Sequence, residues 1–163
     1  MHEFSGTGGR MMIQLPDELR QALGADDAED LMALLKRRRK RDFRALQGLV
    51  SVDPVVPPHF RTKALFALGW WGDPSVVPLI REILPHLDER ARISAISALG
   101  HIGSQEAVVE IAEHLGERSD QVRKAAVAAL SRADTPEARE KLRQVASDDP
   151  VPWVRELAAR KLT

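Results

Sequence analysis

Three features of this sequence predict an all-α fold, a solenoid of stacked helix pairs. The first is a recurring stretch, Arg92-Ile93-Ser94-Ala95-Ile96-Ser97-Ala98-Leu99-Gly100. Arg61 to Gly69 precedes it by 31 residues, Arg123 to Ser131 follows by 31, and Arg155 to Thr163 follows 32 residues later. In each copy Arg leads, Ala comes three residues on, an aliphatic or second Ala four on, and Leu seven on. The second feature is a matched turn, Gly72-Asp73, Gly103-Ser104 and Asp134-Thr135, in which the second residue is a helix N-cap type. The third is a set of apolar columns: Val76, Ala107 and Ala138; Ile80, Ile111 and Leu142; Leu84, Leu115 and Ala146. A fixed period of about 20–50 residues marks a repeat array whose units must stack to bury their apolar faces. The expected architecture is a short right-handed solenoid in one domain, with a period of about 31 residues.

Composition agrees with that class. Hydrophobic residues make up 44% and charged residues 29% of the 163 positions, which fits a globular chain long enough to bury a core. Aromatics are few, and Ala, Leu, Val and Ile carry the helical packing. Lys plus Arg and Asp plus Glu are equal at 24 each, so no net field draws the chain to nucleic acid or to an anionic membrane. The absence of Cys removes disulfides, thiolate chemistry and Cys-ligated zinc. No apolar run approaches the ~18 residues needed to span a bilayer, so no membrane partner is expected. Residues 1–10 lack the apolar centre of a signal peptide, and a cytoplasmic location follows by default.

Along the chain, residues 1–10 read as a disordered or expression-derived tail, with Met11 or Met12 as an alternative start. Pro16 to Gly24 reads as a short helix with Pro in its first turn and acids where the dipole favours them. Ala25 to Leu35 reads as a second helix, capped by Asp26 or Asp27. The basic run Lys36 to Arg41 follows, and Phe43, Leu46, Leu49 and Val50 resume the apolar period until residues 52–54 break it. Residues 11–55 are therefore expected to be degenerate capping helices, and residues 56–163 three full repeats plus a final single helix. Asp88 and Ser119 are expected to cap the first helices of their pairs, with Pro58 and Pro152 at the first helical position of two others. Gly69 and Gly100 are expected to end first helices in the left-handed conformation.

The stretch from Val56 to Leu162 resembles HEAT-like repeats of the phycobilisome-lyase type. The resemblance is carried by Phe60-Arg61, Ala67-Leu68-Gly69 and Gly72-Asp73-Pro74, by Arg92, Ala98-Leu99-Gly100 and Gly103, and by Val122-Arg123, Ala129-Leu130 and Val154-Arg155. It covers about two thirds of the chain, and implies a helical-repeat superhelix and a family that spans scaffolds, regulators and a few enzymes. One enzyme class that it implies, the deoxyhypusine hydroxylases, carries His-Glu pairs just after the Arg position to hold two irons. The matching positions here are Thr62-Lys63, Ile93-Ser94, Lys124-Ala125 and Glu156-Leu157, so that iron chemistry is not expected.

Candidate functional residues lie where the copies differ. Trp71 falls in an apolar column, whereas Trp70 aligns with the polar His101 and Arg132 and Trp153 aligns with Arg90. An exposed Trp is a common anchor of protein contacts. Glu82, Glu113 and Gln144 form a polar column on the second helices. Arg37, Arg38 and Arg39, within the run Lys36 to Arg44, are candidates for phosphates or an acidic partner. The resemblance to HEAT-like repeats implies that the four leading arginines, Arg61, Arg92, Arg123 and Arg155, contact acids or carbonyls of the neighbouring repeat, and His114, in an apolar column, is expected to be a partly buried, hydrogen-bonded histidine. No Ser-His-Asp set, phosphate-binding Gly loop, dinucleotide fingerprint or metal-ligand spacing is present.

The expected function is a non-enzymatic protein-interaction, scaffolding or regulatory module, with no catalytic residue, metal or cofactor, presenting its helical surface to another protein. One alternative is nucleic-acid association through the basic run 36–44. The other, implied by the resemblance alone, is a lyase- or chaperone-like subunit of the phycobilin lyase type. Nothing in the sequence specifies an oligomeric state.

Overall fold

A computed structural model describes residues 15–25, 29–51 and 56–163. The expectations for residues 1–10, for Met11 or Met12, for Asp26 or Asp27 as a cap and for a break at 52–54 lie outside the described residues. Among those described, all regular structure is helical. Three helices come first: α1 (Asp17–Gly24), α2 (Glu29–Lys36) and α3 (Lys40–Leu49). They bury Leu19, Ala22 and Leu23, then Leu31, Leu34 and Leu35, then Leu46 and Leu49, each set at helical spacing. All three pack against α4 (Pro58–Trp71).

From α4 onward the helices alternate between two rows. The first-helix row holds α4, α6 (Glu89–Ile102), α8 (Asp120–Ala133) and α10 (Pro152–Arg160). The second-helix row holds α5 (Val77–Ile83), α7 (Gln105–Glu113) and α9 (Pro136–Asp148). Single 3-10 turns, Pro74–Val76 and Leu84–His86, bracket α5, and Pro78 and Pro85 account for its shortness by removing backbone donors. None of the helices is long and apolar enough to cross a membrane among the described residues.

Local chemistry starts and stops these helices largely where the repeats require. Asp88 accepts the Ala91 N–H at 2.8 Å and Ser119 that of Val122 at 3.4 Å. Asp73, Ser104 and Thr135 accept from Ser75, Ala107 and Ala138 at 2.9, 3.2 and 3.1 Å. These side chains replace partners that the first turn of a helix lacks. Between the rows, Leu68, Leu99 and Leu130 of the first helices, Ala107 and Ala138 of α7 and α9, and Val76 of the 3-10 turn before α5 are fully buried. Each fully buried Leu contributes about 2 kcal/mol of hydrophobic stabilisation.

One expectation is corrected. Gly69 and Gly100 do not end their helices; α4 and α6 run on to Trp71 and Ile102, and the left-handed residues are Gly72 (φ 72°), Gly103 (φ 64°) and, in α8, Asp134 (φ 49°). Gly69 and Gly100 lie where consecutive first helices meet. A Cβ on Gly69 would stand 2.6 Å from the Ala98 Cα, and one on Gly100 would stand 2.7 Å from the Ala129 Cα. The glycines let the backbones approach, and the repeat of Gly against Ala sets the spacing of the row.

Candidate functional site

The four leading arginines build the joints of the array. Arg92 donates to the Leu87 carbonyl at 3.0 Å and faces Glu117 Oε1 at 3.5 Å. Arg123, almost fully enclosed, donates through Nη1 to the Glu117 carbonyl at 2.8 Å and the Arg118 carbonyl at 3.2 Å, and through Nε to Asp149 Oδ2 at 3.1 Å. Arg155 donates to the Asp149 carbonyl at 2.6 Å, and Arg61 to the Ser51 carbonyl at 2.5 Å. Each guanidinium thus holds the loop that leads into its own helix. Arg92 and Arg123 also take an acid from the loop one repeat later, in Glu117 and Asp149. His114 sits in the same layer, with Nδ1 3.3 Å from Glu117 Oε1 and Nε2 4.0 Å from Glu110 Oε1, while Arg81 Nε holds Glu110 at 2.5 Å.

The basic run is folded into the protein's own contacts. Arg38 occupies the turn between α2 and α3 with a positive φ of 44°, donates to the Trp71 carbonyl at 3.0 Å and lies 5.5 Å from the Trp71 ring centre. There it meets the negative end of the α4 dipole and the face of an aromatic ring. Arg37 and Arg39 both reach Glu18 of α1, at 3.0 and 3.1 Å. Lys36, Lys40, Arg41 and Arg44 stay exposed.

Trp71 is buried, as its column implies. Trp70, His101 and Arg132 occupy equivalent positions at the ends of three stacked helices, α4, α6 and α8. Trp70 is half-buried against the core, whereas His101 and Arg132 are exposed. Partial loss of hydration, and then the Arg132 charge, hold the His101 pKa below its ordinary 6.5. The unfolded chain therefore takes up this proton first, so His101 withdraws stability as pH falls through 6.5 toward the lower folded value. Removing the charge in Arg132→Gln should raise the His101 pKa, which an NMR titration of its ring signals measures.

Trp153 is exposed at the start of α10, away from the Trp70 edge. The outer surface of the second-helix row carries Glu82, Glu113 and Gln144, all exposed. Between α7 and α9 this surface opens into a groove of about 340 Å³, lined in part by Ala112, Leu115, Val145, Pro150, Gln144 and Lys141. Val109, one turn before Ala112 and Glu113 on α7, is 56% exposed, the highest value for a large aliphatic side chain among the described residues. Sequence reasoning found Gln144 but missed Val109 and the groove. The signal for Val109 was its place in a column with Pro78 and Glu140, where an outward residue would be polar.

Among the described residues, no three or more His, Cys, Asp or Glu side chains are grouped to hold a metal ion. The family model for HEAT repeats matches residues 56–121 and 82–163. No curated protein matches the chain. Of the solved structures, human deoxyhypusine hydroxylase in complex with glycerol superposes with a TM-score of 0.62 at 22% identity, covering 88% of this chain. The chain spans 59% of the length of that solved chain, and at this identity the likeness is one of fold. It nevertheless overturns the expectation that the chain is not an enzyme, because an enzyme is built on the same solenoid. The matched fold, the repeat spacing and the family model agree on one assignment: the chain belongs to the HEAT repeat family.

Proposed function

We propose that the chain is a protein-interaction module that presents the outer surface of its second-helix row to another protein. The observation that carries this reading is the α7–α9 groove, one helical turn along α7 from the exposed Val109, on a surface that also carries Glu82, Glu113 and Gln144. Concave sites with an apolar floor and a polar rim are where anchor side chains of a partner lodge. HEAT repeats commonly serve protein–protein contacts, and a stacked helical surface is ordered before binding, which keeps the entropy cost of association low. The intramolecular engagement of Arg37, Arg38 and Arg39 leaves the basic run a smaller share of the candidate surface.

An affinity capture from the native cell extract tests the reading, comparing the wild type with Ala112→Trp, which fills the groove, and Trp70→Ser, which alters the turn edge. Capture of a specific protein that Ala112→Trp abolishes and Trp70→Ser leaves intact supports the second-helix row. Loss with Trp70→Ser alone moves the site to the turn edge and sinks the proposal.

A further inference from the structure

We infer that the α7–α9 groove receives an apolar side chain from a basic segment of the partner protein. The inference rests on the interaction reading above and adds the chemistry of what is bound. Ala112, Leu115, Val145 and Pro150 line the groove, and the exposed Val109 lies outside this lining, one helical turn before Ala112 on α7. A volume of about 340 Å³, open to solvent, accommodates one or two large side chains of a chain lying across it.

Charge selects the segment. On α7, Glu106 and Glu113 flank Val109 at the preceding and following turns, and Asp148 of α9 lies at the groove. Glu82 and Glu137 extend the acidic surface onto α5 and α9. All five carboxylates are exposed and lack an ion-pair partner among the described residues. The arginines of this row do not offset them: Arg81 is held by Glu110, Arg139 by Asp134 and Arg143 by Glu140. Among the described residues, Lys141 is the single cation lining the groove. A partner with Lys or Arg on either side of an apolar anchor neutralises these acids and fills the groove. A phosphate backbone or an acidic peptide meets repulsion instead.

Three labelled helical peptides of about 18 residues, roughly five turns, provide the test. The first carries a Leu stripe with Lys elsewhere, the second the same stripe with Glu, and the third the Lys pattern with Ser in place of Leu. By fluorescence anisotropy, the Leu–Lys peptide is expected to bind at least about tenfold more tightly than either control and to weaken steeply between about 50 and 300 mM salt. Ala112→Trp and the pair Glu106→Lys with Glu113→Lys should each cost about tenfold, while Glu156→Lys on α10 should not.

Equal binding of the Ser peptide overturns the inference, since attraction would then need no groove. Indifference to the α7 variants, or preference for the Glu peptide, overturns it as well. If Ala112→Trp still abolishes capture from the extract while the Leu–Lys peptide fails to bind, the surface stands and its partner chemistry falls. If neither readout responds to α7, both fall.

Discussion

Gly100→Ala will destabilise the protein, although alanine is the better helix former. Inside a helix Ala is favoured over Gly by about 1 kcal/mol, so an isolated α6 would gain. In the folded chain the new Cβ would lie 2.7 Å from the Ala129 Cα and 2.9 Å from the Ala129 carbonyl oxygen. Those are backbone atoms of α8, and no side-chain rotation relieves the overlap. The helix must move as a body, and overpacking of this kind costs typically 1–3 kcal/mol, occasionally more. With the propensity gain subtracted, the expected net loss is about 1–2 kcal/mol, read as a lowered urea midpoint at unchanged slope. Gly69→Ala should behave alike, as its Cβ meets Ala98 in the same way. Gly24→Ala provides the contrast: nothing lies within 4 Å of that position, and the change should be neutral or stabilising.

Breaking the Arg123–Asp149 pair should cost more than any other single ion pair among those described. The two side chains are only 7% and 3% exposed, and Asp149 Oδ1 also accepts the Val151 N–H at 2.8 Å. Asp149→Ala leaves a guanidinium enclosed with carbonyl acceptors alone, and Arg123→Met leaves a buried carboxylate. Each is expected to lose about 3–5 kcal/mol, because an uncompensated charge stays behind. In the double variant, with neither charge present, the losses should fall well short of additive, and a double-mutant cycle by chemical denaturation measures the coupling. By comparison, Arg143–Glu140 is shorter at 2.7 Å but 61% and 59% exposed, and its loss should cost less than about 1 kcal/mol. Burial, not distance, decides the order.

Much of the fold was legible because repetition makes local signals confirm one another. Asp73, Ser104 and Thr135 are weak cap signals singly, yet at a common place in three copies they located α7, α9 and the 3-10 turn before α5. Buried columns such as Ile80, Ile111 and Leu142 followed from the same alignment. Gly69 and Gly100 were misread for a physical reason. Glycine serves a left-handed helix end and a close helix contact equally well, and only the position of the neighbouring helix distinguishes them. The sequence placed Arg38 beside like charges, while its actual partners, the Trp71 ring and carbonyl, are 33 residues away in the chain. The groove was equally out of reach, since Ala112 and Val145 read as ordinary apolar helix positions until α7 and α9 are set side by side. The exclusion of catalysis failed because missing motifs cannot speak for a fold that also carries an enzyme.

The two rows differ in how they resist deformation. Along α4, α6 and α8 the backbones touch through Gly and Ala, and Arg92 and the enclosed Arg123 fasten one loop to the next, whereas α5, α7 and α9 meet more sparsely. The molecule is bound like a book, with a close-packed spine along the first helices and more loosely joined leaves along the second. A bend of the solenoid would change the space between α7 and α9 more readily than the close-packed spine, because fewer contacts must yield there. A group wedged between those leaves would in turn bias the curvature of the array, and a force that straightens or curls the array would change the grip at that place.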